Sequence, residues 1–204
     1  RVKLGMFPKP ATKTGRFFKM LKDTFIAPQS AKIEPAMWIF AFAFHVAALG
    51  AFVGHGRLIA EFPILPELLG ADGMNAFAAM SGSIAGILML VGVLFWIGRR
   101  TFGPYKSLSV PEDYLLLFLL FGVIVMGDHM RFVYGSTVHA NTYRAWFQSL
   151  LAFKPAFPEH LLTGNVGWSL GTHMLFTDLF LMYFPFSKLV HAIGSFATNL
   201  VRSE

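Results

Sequence analysis

The sequence predicts an all-α protein, a bundle of helices that crosses a membrane several times, and three observations carry that prediction. Of the 204 residues, 55% are hydrophobic and only 14% charged, with a mean hydropathy of +0.57; an ordinary soluble domain has about 25% charged residues. The apolar residues fall in long runs, the plainest from Pro35 to Gly56 and from Asn75 to Gly98, neither containing Asp, Glu, Lys or Arg. The basic residues gather at the ends of these runs, so the net charge of +6 reads as membrane topology, not as a nucleic-acid surface.

Residues 1–35 hold eight of the seventeen Lys and Arg residues against Asp23 and Glu34 alone, which marks the cytoplasmic side. Within them Phe17, Phe18, Leu21 and Phe25 share one helical face, and Arg16, Lys19, Lys22 and Asp23 are displaced from it. That is the pattern of a helix lying in the membrane interface; a docking surface for a soluble partner is the other reading. The chain opens on a basic, Pro-containing stretch with no cleavable signal pattern. It begins with Arg1 and no Met, so residues upstream, up to a whole helix, are expected.

Pro35 suits the first turn of a helix, and the first span is expected to run to about Ile59, enough to cross roughly 30 Å of hydrocarbon. The next loop carries Glu61, Glu67 and Asp72 with Pro63 and Pro66, and its lack of Lys suits the outer side. The second span, about Asn75 to Gly98, ends at Arg99 and Arg100 with Lys106 beyond, back at the inner face. The third begins near Pro111 and Asp113 and reaches Asp128, with a fourteen-residue uncharged core; it extends toward Val133 if Asp128, His129 and Arg131 sit among the headgroups. Residues 134–160 read as a long outer connection without structure of its own, carrying Tyr134, Tyr143 and Trp146, the residue types of an interfacial belt. Loops of that length are often functional. The last span runs from about Leu161 to Val190, interrupted at Pro185, and leads to an inner tail with Lys188 and Arg202. Four spans thus satisfy one orientation, giving a basic segment over 1–35, a transmembrane domain over 36–196 and an inner tail over 197–204.

Histidine is costly in the middle of a membrane helix unless something binds it. His45 and His55 lie ten residues apart on the first span, and His173 and His191 eighteen apart on the last. Those separations correspond to about 15 Å and 27 Å of helix, with azimuths differing by roughly 80° and near zero. Antiparallel helices bring His55 opposite His173 near the outer face and His45 opposite His191 near the inner face, with tilt and a bend at Pro185 absorbing the unequal spacing. An iron porphyrin is the natural object to hold between two such helices, so two pairs predict two stacked haems. The chain has no cysteine, which excludes covalent C-x-x-C-H haem attachment, thiolate-held iron–sulfur clusters and disulfides. Any redox cofactor is non-covalent, and any iron–sulfur relay sits on another subunit.

Gly50 and Gly54 on the first span, and Gly82 and Gly86 on the second, would let a flat macrocycle approach the backbone; small-xxx-small helix packing explains them as well. Arg99 and Arg100 could neutralise inner haem propionates through a guanidinium–carboxylate fork, or could simply be positive-inside residues.

The stretches FHVAALGAFVGH (44–55) and FPFSKLVH (184–191), with AGILMLVGVLF and the GRR ending at Arg100, resemble the di-haem cytochrome b, or gamma, subunit of respiratory nitrate reductase and its relatives. Those relatives include membrane subunits of sulfite-reduction-associated and heterodisulfide-reductase-like complexes. The resemblance covers about residues 36–196. It implies a quinol-oxidising (menaquinol) subunit of an anaerobic respiratory complex in the cytoplasmic membrane, with two bis-histidine b haems, one held by His45 and His191 and the other by His55 and His173. Electrons would leave through an iron–sulfur partner on the inner side. Three departures bear on it. The family has five spans, and the first is not visible here. The nitrate reductase type carries a Lys just before the second span, where this chain reads ADGMNAF. The third span ends in GDHMRFV and leads into a different loop, so the sulfur-metabolism relatives are the expected kin, with a nitrate reductase gamma subunit proper as the alternative.

Quinol oxidation releases protons, so acceptors are needed near water and near a haem edge. Arg57, Asp128, His129 and Arg131 lie at the outer end, and Asp128 or His129 is the candidate proton acceptor; an Asp128–Arg131 ion pair is the plainer alternative. Asp178 lies inside the last span, five residues past His173, and could carry protons or be a protonated carboxyl bonded to Ser81, Ser83 or Thr177. His139 and His160 read as ordinary loop residues. Two rivals belong to other classes: a proton-coupled transporter using the intramembrane His and Asp as a relay without haem, and an anchor whose haems do not turn over. Bis-histidine absorption bands exclude the first, and haem reduction by a menaquinol analogue excludes the second.

Overall fold

The computed structural model describes residues 10–103, 105–135, 140–156, 164–191, 194–195 and 197–199. Among them every regular element is helical and there is no strand. The chain divides into two compact units, Arg1–Phe42 with Met182–Glu204, and Ala43–Leu181.

The first unit contains α1 (Lys13–Phe25), α2 (Pro28–Ile33) and the start of α3 (Pro35–His55). The Thr12 hydroxyl caps α1 by accepting the Gly15 N–H at 3.0 Å. Phe17, Phe18 and Phe25 are exposed along α1 while Met20 is buried, so the apolar face read from the sequence is available to a membrane surface. The Trp38 indole N–H donates to the Ile26 carbonyl at 2.6 Å, tying the end of α1 to α3.

In the second unit α3 ends at His55 and gives way to a 3-10 turn, Gly56–Leu58. α4 (Leu65–Thr101) starts ten residues before the span expected from the sequence. Pro66 is harmless in the first turn, where no N–H is required, and Gly70 takes φ 69° and ψ 173°, a break open to glycine alone, before the long apolar part follows. α5 (Pro111–Tyr134) likewise runs past its uncharged core. Asp128 and Arg131 lie within the helix with their side chains against Gly86 and Gly82 of α4, and His129 meets Ser169.

The connection expected over 134–160 is not structureless: it contains α6 (Ala140–Leu151). Its Tyr143 and Trp146 are buried with Leu170 against Leu58, Met130 and Met174. Arg144 and Gln148, one turn apart, donate to the carbonyls of Arg57 and Ile59, each at 2.7 Å. α6 is therefore an amphipathic helix fixed by tertiary partners, which a search for long apolar runs passes over. The last expected span stops short of its predicted end: α7 (Gly164–Tyr183) ends two residues before Pro185, and 3-10 turns Phe184–Phe186 and Lys188–Val190 follow. Pro185 terminates the helix instead of bending it.

Three of the described helical stretches are long and apolar enough to cross a membrane: Pro35–Leu58, Leu65–Thr101 and Pro111–Tyr134. α7, with Asn165, His173 and Asp178 in its 20 residues, is not one of these three. The core of the second unit is Phe44, Val93, Leu117 and Ile124. The Phe44 ring lies against Gly92 and meets Trp96 edge-on at 4.9 Å, and the Phe176 ring lies over Gly122. Between membrane helices this close packing, not exclusion of water, supplies the attraction.

Candidate functional site

Two histidines from different helices face one another in the second unit. The rings of His55, at the end of α3, and His173, in the middle of α7, are stacked with centroids 6.4 Å apart and planes 11° apart. His55 Nδ1–H donates to the Ala51 carbonyl at 2.7 Å, and His173 Nδ1–H donates to the Val123 carbonyl at 2.9 Å. A carbonyl can only accept, so both rings carry a proton on Nδ1, and Nε2 is the nitrogen a metal could bind. This is the outer-shell pattern of metal-bound histidine. Two imidazoles bound through nitrogen at about 2 Å to one metal have ring centres roughly 6 Å apart, a separation of the same order as that of this pair. Among the described residues no group of three or more His, Cys, Asp or Glu side chains gathers to hold a metal. A two-histidine donor set suits an iron whose remaining positions belong to a macrocycle.

The backbone near this pair is shaped to suit. A Cβ on Gly127 of α5 would lie 3.2 Å from His173 Cε1, so glycine lets α5 support the imidazole closely. Gly50 and Gly54 lie on the exposed side of α3, where a Cβ would meet nothing within 4 Å, giving a flat group room beside His55. Gly82 and Gly86 do a different job: Arg131 lies against Gly82, and the Asp128 carboxylate occupies the place a Gly86 Cβ would take.

Asp128 and Arg131 do not form the ion pair considered from the sequence. Asp128 Oδ2 is buried without a hydrogen-bond partner among the described residues, because α5 carries the two side chains to different glycines of α4. His129 is better defined. Ser169, fully buried on α7, gives its one hydroxyl proton to the Asn165 carbonyl at 3.0 Å. His129 Nδ1–H therefore donates to Ser169 Oγ at 2.9 Å, and Nε2 is the basic nitrogen.

Sequence reasoning missed the clamp at this end. Arg57 is 5% exposed and forks onto Glu61 through Nε at 2.7 Å and Nη2 at 2.9 Å. Arg144 of α6 binds the same carboxylate at 2.7 Å. The Arg57 guanidinium, more than opposing desolvation, and then Arg144 hold the Glu61 pKa down at about 2. The i,i+4 spacing of Arg57 and Glu61 was a signal for part of this; Arg144, 83 residues from Glu61, gave none.

His45 is exposed, with the Phe44 ring edge-on at 5.7 Å. His191 is exposed in the other unit, and its Nδ1–H donates to the Lys188 carbonyl at 2.9 Å, the kind of orienting bond His55 and His173 also make. At the C-terminal end of α4, Arg100 Nη1 binds the buried Asp113 carboxylate at 2.8 Å, while Arg99 lies over the Tyr105 ring at 3.8 Å. Asp178 is exposed on α7, and none of its expected partners reaches it. Ser81 and Ser83 donate to Phe77 and Ala79 carbonyls and Thr177 to that of His173, the usual recourse of hydroxyls within a helix. His139 and His160 lie outside the described residues.

Residues 27–203 match the model of the nitrate reductase gamma subunit family. The chain is 30% identical over 164 residues to the Hdr-like menaquinol oxidoreductase cytochrome b-like subunit of Archaeoglobus profundus, covering 78% of this chain and 47% of that protein. It is 27% identical over 187 residues to the protein of that description in Archaeoglobus fulgidus, covering 88% and 55%. The respiratory nitrate reductase 1 gamma chain of Escherichia coli is 28% identical over 156 residues, covering 72% and 67%. The chain thus spans about half the length of the Archaeoglobus relatives it matches.

Proposed function

The chain belongs to the nitrate reductase gamma subunit family, and on that premise we propose that it is the membrane cytochrome b subunit of an anaerobic respiratory complex that oxidises menaquinol. The observation that carries the proposal is the parallel His55–His173 pair with both Nδ1 atoms bound to backbone carbonyls. In this reading His55 and His173 hold an outer b haem and His45 and His191 an inner one. When bound, the haems supply one-electron carriage between the quinol and an iron–sulfur partner on the cytoplasmic side.

The chain's own residues do the rest. Backbone carbonyls of Ala51 and Val123 fix the two outer imidazoles, Gly127 supports the second, and Gly50 and Gly54 leave room for the macrocycle. Arg99 and Arg100 stand at the inner end for propionates, Arg100 through the guanidinium N–H groups that Asp113 and Ser109 do not take. Quinol oxidation gives up two protons. Asp128 and His129 accept them, His129 at the Nε2 that its bond to Ser169 leaves basic, with Arg57 and Arg131 supplying positive charge nearby. α7 completes a four-span bundle, with the segment before α3 and the segment after α7 both cytoplasmic.

Heterodisulfide-reductase-like kinship is preferred to a nitrate reductase role because the Lys of the nitrate reductase quinol site is absent from ADGMNAF (71–77). Purification of the complex from membranes tests both levels. Reduced-minus-oxidised spectra should show bis-histidine b haems reduced by a menaquinol analogue and blocked by a quinone-site inhibitor. The co-purifying iron–sulfur chain should be cysteine-rich and heterodisulfide-reductase-like; a molybdenum-enzyme subunit would favour nitrate reductase, and a haem-free protein a transporter.

A further inference from the structure

The phenol of Tyr143 is the group the reading above leaves without a task. Tyr143 is 6% exposed, and its hydroxyl is buried with no hydrogen-bond partner among the described residues. An unmet buried hydroxyl is destabilising, and such groups are retained where something outside the chain satisfies them. Buried water needs several polar partners, whereas Tyr143 belongs to an apolar cluster with Trp146 and Leu170, against which Leu58, Met130 and Met174 pack. A flat, apolar ring with an oxygen at its edge fits such surroundings better than water does.

The location narrows the ligand further. Leu58 lies three residues beyond His55, and Leu170 and Met174 lie three residues before and one after His173. The cluster that buries Tyr143 therefore includes residues within about one helical turn of both His55 and His173. Arg144, the next residue of α6, binds Glu61 and the Arg57 carbonyl and so holds the helix down over this end. Burial raises the phenol's pKa, which keeps it a neutral donor.

We infer that the Tyr143 hydroxyl donates a hydrogen bond to a quinone oxygen, and that the quinone headgroup site lies where α6 covers the Leu58 turn and the outer parts of α5 and α7. This rests on the quinol-oxidising reading and adds a residue and a location to it.

The test compares the wild-type complex with Tyr143→Phe, which keeps the ring and removes only the oxygen. The two readouts are the KM for a menaquinol analogue and the infrared carbonyl band of bound menaquinone labelled with 13C at the carbonyls. The expected result is an unchanged haem spectrum, a KM raised about tenfold and a carbonyl band moved to higher frequency. An unchanged KM and band overturn the inference while leaving quinol oxidation intact. Loss of a haem from Tyr143→Phe also overturns it, because the residue is then a packing element. If the wild-type haems are not reduced by the quinol at all, the functional reading fails first and this one with it.

Discussion

His55 and His173 present parallel rings to one another at 6.4 Å, and each is aimed by a carbonyl of a helix backbone. Ala51 lies one turn before His55 on the same helix, so α3 orients its own ligand. Val123 belongs to α5, so the second imidazole is set from across the bundle. Two parallel rings, each oriented through Nδ1 by a different helix, make no hydrogen bond through Nε2 among the described residues, which sets them apart from ordinary packing.

If these rings clasp one metal, their removal is not additive. His55→Ala and His173→Ala should each abolish the same b haem and leave the other, and the double variant should match either single one. Haem per chain measured by the pyridine haemochrome assay checks this; independent losses would separate the two residues.

Gly127→Ala should act through His173. The new Cβ would stand 3.2 Å from Cε1 and 3.4 Å from Nδ1, so the ring must give way and its bond to Val123 lengthens. The outer haem's content or midpoint potential should change, while Gly98→Ala, with nothing within 4 Å of its Cβ, changes neither. Redox titration of both variants decides it.

Glu61→Gln should loosen α6, since Arg57 and Arg144 then share a neutral partner. The cost is roughly 1–2 kcal/mol for charge-assisted bonds at a partly exposed carboxylate. The pKa is lowered from 4.5 to about 2, so the stabilisation is fully present above 4.5 and is lost as pH falls toward 2. Hydrogen exchange across α6 should quicken in the variant at neutral pH and in the wild type only in that acid window.

Ser169→Ala should leave the haems in place and alter turnover. Without Ser169 Oγ, nothing fixes His129 Nδ1–H, and the basic nitrogen is no longer held in one direction. A fall of about tenfold in quinol oxidation, with a shifted pH profile, is expected for Ser169→Ala and for Asp128→Asn. Unchanged profiles would remove both groups from proton transfer.

The helices that announce themselves by uncharged length were legible: α3, α4 and α5 follow from their apolar runs, and their prolines sit in first turns. The His55–His173 pairing was legible too, because helical rise turns residue spacing into depth. What stayed hidden depends on contacts distant in sequence. α6 is short and mixed in composition, and it is specified by Arg144 and Gln148 reaching back to Arg57, Glu61 and Ile59. The work of Gly86 and Gly127 was invisible for the same reason, since a glycine does not reveal which side chain will fill its place. Pro185 marked a discontinuity, but whether the helix would bend or stop there depended on the 3-10 turns that follow.

The most direct test of the central claim is the reduced-minus-oxidised optical spectrum of the purified complex, wild type beside His55→Ala. Two b-type haems per chain, one of them missing in the variant and restored by added imidazole in His55→Gly, is the predicted result. A wild-type spectrum without a b-type α band, or one that His55→Ala leaves untouched, would contradict it.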